Sequence, residues 1–168
     1  MNSNLKIGII GGTGFIKDTD IMKDIKQINI ITPFGNPSNA LIEGKIKGIN
    51  CIILPRHGHN HYINPTNINY RANIWALKKI GVSVIIGVTA CGSLRDELSP
   101  GHFVVLDSFI DRTTKRSQTF YDGLPNHPEG ICHIPMYPTF NEKLRQILIS
   151  SLSKTQLNYH IKRNSCMC

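Results

Sequence analysis

The chain has 168 residues, long enough for one full-sized domain that hides about 70% of the surface its unfolded form exposes. Hydrophobic residues make up 40% of it, which excludes a disordered or collagen-like protein, and no apolar run approaches the ~18–20 residues of a membrane-spanning helix. The net charge of +8 comes from scattered Lys and Arg in a chain rich in Ile, Asn and Lys, so it reads as composition bias and not as a nucleic-acid or membrane surface.

Lys6–Ile10 is a short apolar run that opens into Gly11-Gly12-Thr13-Gly14, the pattern of a strand entering a glycine-rich turn. Ile28–Ile31 and Ala40–Lys47 read as further strands, the second alternating as a half-exposed strand does. Asn50–Leu54 is another, ending at Pro55-Arg56-His57-Gly58. Asn67–Ile80 has the period of a helix with Ile68, Ala72, Trp75 and Ala76 near one face, and Gly81 suits its C-terminal cap. Val82–Val88 is apolar and β-branched throughout, which predicts a central strand buried on both faces. It ends in Thr89-Ala90-Cys91-Gly92-Ser93, and His102–Phe109 reads as one more strand. Thr139 and Glu142 have the spacing of a capping box ahead of Phe140, Leu144, Ile147, Leu148 and Leu152 at helical period. Interleaved strands and helices predict an α/β domain with a mixed, mainly parallel central sheet flanked by helices.

Three segments share one design, an apolar strand followed by a small-residue turn with a polar donor. They are Gly11–Gly14, Pro55–Gly58 and Thr89–Ser93. In open α/β sheets the carboxyl ends of strands line the ligand crevice. Glycines let backbone N–H groups approach an anion, hydroxyls add donors, and Arg supplies a planar charged fork. Together these chemistries describe a phosphate site. A dinucleotide reading of the first turn fits less well, because its third glycine falls at Lys17 and the next strand ends in Thr32-Pro33 where an acid is needed for the ribose. His57, His59 and His61 alternate, yet the intervening Gly58 and Asn60 mark a loop, so no metal site is expected there. The five cysteines show no CxxC spacing and suit free thiols.

Ile7–Gly14, Thr32-Pro33-Phe34-Gly35, Arg56-His57-Gly58, Asn69–Leu77 and Thr89–Leu94 are more specific than those chemistries require. With Phe109–Thr113, Thr119–Gly123 and His133-Ile134-Pro135-Met136, they resemble the trimeric purine nucleoside phosphorylase family, in its methylthioadenosine-cleaving branch, over roughly residues 5–162. The resemblance implies that orthophosphate attacks the anomeric carbon of methylthioadenosine, releasing adenine and 5-methylthioribose 1-phosphate without metal or organic cofactor. It assigns Thr13, Arg56, His57, Thr89 and Ala90 to the phosphate, His61 to the neighbourhood of the sugar, and His133 to a neighbouring subunit's methylthio pocket. It implies a homotrimer, and the sequence, with no membrane-spanning run or secretory signal, leads to the expectation of a cytoplasmic protein.

The family chain is longer. Residues 1–162 correspond to the N-terminal part of one phosphorylase domain and 163–168 form a divergent tail, so the acid that protonates the departing base is expected beyond the end of this chain. Weak or absent turnover by this chain alone is the expectation. Two other readings stay open: a non-catalytic chain that joins longer subunits, and a phosphorylase for another purine nucleoside.

Overall fold

The computed structural model describes residues 5–12 and 21–161. Its described residues form two units, one within Met1–Thr89 and Lys115–Ile131, the other within Ala90–Thr114 and Cys132–Cys168.

The first unit is built on a five-stranded sheet in the order β2-β3-β4-β1-β5, with β1 Lys6–Gly11, β2 Met22–Ile28, β3 Leu41–Ile46, β4 Ile49–Pro55 and β5 Val84–Gly87. β4 and β5 run parallel to β1 on either side, while β3 is antiparallel to β4 and to β2. The sheet is therefore mixed as expected, but its pairings divide evenly and are not mainly parallel. β4 is buried on both faces. Cys51 and Ile53 join Met22 and Ile42 in one core cluster, and Ile52 and Leu54 join Leu41, Ala76 and Leu77 in the other. The second cluster lies under α1, Tyr70–Lys79, whose Ala72, Asn73, Ala76 and Leu77 are buried. Burying such side chains is worth roughly 1.5–3 kcal/mol each for the larger ones.

Three expectations shift. The second strand lies at Met22–Ile28 and not at Ile28–Ile31, because it is an edge strand whose middle residues face water and carry Lys, Asp and Gln. Ile28, its last residue, and Ile30 just beyond it pack against the core, which is the apolar signal read as a strand. Helix α1 begins at Tyr70 because Pro65–Asn67 is a separate 3-10 turn and Asn69 caps the helix, its Oδ1 accepting from Ala72 N–H at 3.1 Å. Finally, β5 is not central. Among the described residues it is the edge of the sheet, with Ile85 40% exposed.

The second unit holds β6 Phe103–Val104, α2 Glu142–Leu152 and β7 Tyr159–His160, with β6 parallel to β7. The strand expected over His102–Phe109 shortens to those two residues. The N-cap of α2 is Asn141, whose side chain accepts from Leu144 N–H, while Thr139 Oγ1 donates to Met136 O. Glu142 is thus the first residue of the helix and pairs with Arg145, not the third residue of a capping box. Val105 is the one buried hydrophobic residue of this unit among those described.

Candidate functional site

The sheet order decides what the sequence could only pair by analogy. Because β4, β1 and β5 are adjacent and parallel, their carboxyl ends finish side by side, with Gly11 opposite Pro55 and Ile10 opposite Gly87. The backbone ties continue past the strands: Arg56 N–H donates to Gly11 O at 3.0 Å, and Val88 N–H to Ile10 O at 2.9 Å.

Arg56 then spans all three ends. From the end of β4 its Nη1 donates to Val88 O at 2.7 Å and its Nη2 to Thr89 Oγ1 at 3.0 Å, just beyond β5. It crosses over the end of β1, where a Cβ on Gly12 would sit 3.4 Å from Nη2. A Cβ there would be in ordinary van der Waals contact with the guanidinium. A guanidinium has five N–H donors in a fixed fork, and two are spent holding its plane across the strand ends. The result is a fixed positive charge beside a threonine hydroxyl, two of the donor types an oxyanion needs, while the Arg56 and Val88 N–H groups are spent on Gly11 O and Ile10 O.

His57 is buried beside it, and its Nδ1 lies 2.8 Å from Ile63 O. A carbonyl only accepts, so Nδ1 carries the proton and Nε2 presents a lone pair in the neutral ring, becoming a second donor when protonated. His61 stacks on it with ring centroids 4.5 Å apart. His57, His59 and His61 do not share a strand face, because β4 ends at Pro55 and His61 sits at φ +56°. Gly58, at φ +76°, makes the turn that brings His61 back over His57, with the ring of Tyr62 packed where a Cβ would be.

Of the residues assigned from sequence, Arg56, His57, His61 and Thr89 belong to the first unit, and Arg56 and Thr89 are joined to its strand ends by the bonds above. Ala90 follows in the chain and belongs to the second unit, as does the exposed His133. Thr13 and the tail at 163–168 lie outside the described residues. The described cysteines Cys51, Cys91 and Cys132 are free, and burial pushes the Cys51 thiol above its ordinary value.

A second polar cluster in the first unit was not visible in the sequence. Asp122 accepts from Arg71 Nη1 and lies 2.6 Å from His127 Nδ1, while His127 Nε2 reaches Pro33 O at 2.9 Å. The His127 hydrogen bond, followed by that of Arg71, holds the Asp122 carboxyl well below the usual carboxylate range. Phe34 is the hub of this cluster: Arg71 lies 4.8 Å over its ring, and His127, Trp75 and Phe120 pack around it. Asn69 Nδ2 and buried Asn73 bond to Phe34 O and to Ser38, which fixes the 32–38 turn on α1. Asp122 and His127 are five positions apart, but the other partners stand 35 to 94 positions apart, so no local spacing announces the cluster.

A family model described as the phosphorylase superfamily matches residues 6–168. S-methyl-5'-thioadenosine phosphorylase of Drosophila pseudoobscura pseudoobscura is 53% identical over 158 residues, covering 94% of this chain and 54% of its own length. The protein of the same name from Danio rerio is 55% identical over 148 residues, covering 88% and 52% respectively. Among solved structures, methylthioadenosine phosphorylase from Schistosoma mansoni in complex with adenine superposes with a TM-score of 0.87 at 40% identity, over 95% of this chain and 63% of that one. The chain spans about half the length of the curated relatives it matches.

Proposed function

The chain belongs to the phosphorylase superfamily, and from that footing we propose that it carries the phosphate-holding half of a methylthioadenosine phosphorolysis site. The observation that carries the reading is the Arg56 fork, which ties the ends of β4 and β5 across the end of β1. Orthophosphate is the family's co-substrate, and Arg56, Thr89, His57 and the Gly11-Gly12 turn supply donors of the kind it requires. Thr13 and the Ala90 backbone complete the set by resemblance.

In the proposed reaction a phosphate oxygen forms a bond to the anomeric carbon as the bond from that carbon to adenine breaks. Positive character builds on the sugar, as in other oxocarbenium-like transition states. A phosphate held beneath it serves as nucleophile and as stabilising anion. Fixing it in place removes a bimolecular search, a gain that reaches roughly 7–11 kcal/mol in ideal cases. The leaving adenine needs a proton, and the acid that supplies it belongs to the part of the family fold these residues do not span. An acid or base contributes commonly 10²–10⁴-fold, so the chain alone turns over slowly. His61 borders the sugar, and His133 reaches a neighbouring subunit of a cytoplasmic homotrimer. The reaction calls on no metal or organic cofactor.

The test is direct. The purified 168-residue chain should bind orthophosphate and cleave methylthioadenosine far below ordinary enzyme rates; failure to bind phosphate, or turnover at full rate, overturns the assignment. A second reading takes the chain as a non-catalytic partner of longer phosphorylase subunits. Exposed Ile134, Met136 and Tyr137 around His133 favour it, and co-purification with a full-length subunit on co-expression tests it.

A further inference from the structure

The second unit contains a histidine pair that the phosphorylase reading does not use. His102 precedes β6 and His160 ends β7, and His102 Nδ1 lies 2.9 Å from His160 Nε2. The ring centroids are 5.1 Å apart with planes 26° apart, little more than the N···N distance plus the two ring radii. The rings therefore meet edge to edge and nearly coplanar, with one facing nitrogen donating a proton and the other accepting it.

The backbone beside both rings is held independently. Phe103 N–H donates to Asn158 O and Val105 N–H to His160 O, each at 2.9 Å, and His102 N–H donates to Ser99 O at 3.1 Å. Phe103 pairs with Tyr159 and Val104 with His160 in the β6–β7 ladder. Both imidazoles are half-buried. The backbone positions of the two histidines are thus held by the ladder and not by the ring–ring hydrogen bond alone.

We propose that His102 and His160 form a two-histidine clamp for a divalent first-row transition cation, which displaces the proton they share and sits to one side of the line between the two nitrogens. At a metal–nitrogen distance of about 2.0–2.1 Å, two nitrogens 2.9 Å apart subtend close to a right angle. That is the cis angle of tetragonal or octahedral coordination, which favours Cu²⁺ and Ni²⁺ over tetrahedral Zn²⁺. Each ring turns off the shared axis so that the two lone pairs converge, a soft rotation for histidine. The donating ring moves its proton to its far nitrogen, so both imidazoles stay neutral and no co-reactant is needed. Among the described residues no third His, Cys, Asp or Glu joins the pair in a ligand group, so water fills the remaining positions. The cation staples a ladder of only two residues per strand, which is marginal unaided.

The experiment is calorimetric titration of the tag-free chain with NiCl₂. One equivalent should bind with an affinity that falls at least tenfold in His102→Asn and in His160→Gln. Each replacement places an amide nitrogen where the facing ring nitrogen was, so a purely hydrogen-bonding role survives in them while the clamp does not. Unchanged affinity and stoichiometry in both variants overturns the proposal. Should a variant fail to fold, the wild-type chain decides: Ni²⁺ should shield His102 and His160 from diethyl pyrocarbonate while exposed His59 and His133 react as before. Equal labelling of the pair with and without Ni²⁺ refutes the clamp.

Discussion

Replacing Arg56 by Gln removes the charge and the fork while leaving the Arg56 N–H bond to Gly11 O, which belongs to the backbone. Two consequences separate cleanly. The side-chain bonds to Val88 O and Thr89 Oγ1 are at a partly exposed position, so their loss costs about 1–2 kcal/mol of stability. The bound anion loses a full charge at close range. Unit charges about 4 Å apart near a protein surface interact by about 4 kcal/mol before salt screening. After screening, about 3 kcal/mol remains, which is a rise in phosphate Kd on the order of 10²-fold. Arg56→Lys keeps the charge but not the plane, and one ammonium cannot span Val88 and Thr89 while facing the anion, so a rise of about tenfold is expected. Calorimetric titration with orthophosphate, beside a denaturation curve for each variant, reads both effects. Equal phosphate affinity in the parent and Arg56→Gln would refute the assignment, and so would a loss explained wholly by unfolding.

Gly58→Ala should cost about 1–2 kcal/mol for the left-handed backbone and about 1 kcal/mol more as the Tyr62 ring is pushed from its hydrogen bond to Ser38 O; adding Tyr62→Ala should remove the steric share of the strain and leave the backbone share, read by urea denaturation. Asp122→Asn should destabilise the chain at neutral pH. The native state lowers the Asp122 carboxyl, chiefly through His127 and then Arg71, so its contribution is full above the ordinary carboxylate range near pH ~4 and is lost as pH falls through the native value. Denaturation curves of parent and variant should therefore converge in acid, and a gap independent of pH would contradict the account. Leu77→Ala, at a side chain with no exposure, should cost about 2–5 kcal/mol, whereas Leu148→Ala on α2, 36% exposed, should cost under about 1 kcal/mol in the same measurement.

What the sequence made legible was burial on one or both faces. β1, β3 and β4 stand close to their predicted places because their apolar residues recur at the strand period or run unbroken. β2 was displaced because an edge strand that turns most side chains to water leaves no such trace. Val82–Val88 carries the composition of a doubly buried strand, yet it borders β1 on one side only. At the site, residue type at each strand end was readable, since Gly, Arg and Thr at those points have a chemical reason to be there. Their convergence was not, because it follows from β4 and β5 flanking β1, a fact of topology. The Asp122–His127–Arg71 cluster was invisible for the same reason, since Arg71 meets Asp122 from 51 positions away and Arg71 and His127 pack together on Phe34.

The two units differ most in what they bury, and the difference bears on function. The first unit encloses both core clusters, and every observed tie of the Arg56 fork lies within it. In the second, α2 repeats Leu144, Ile147, Leu148 and Leu152 at the period of a covered helix, yet no residue of α2 is buried. An apolar stripe at that period gains its stabilisation only against another surface. The curated relatives are nearly twice as long as the stretch matched here. On the proposed reading the anion is held at strand ends that the first unit's own core clusters support, so phosphate binding should be insensitive to Leu148→Ala on α2.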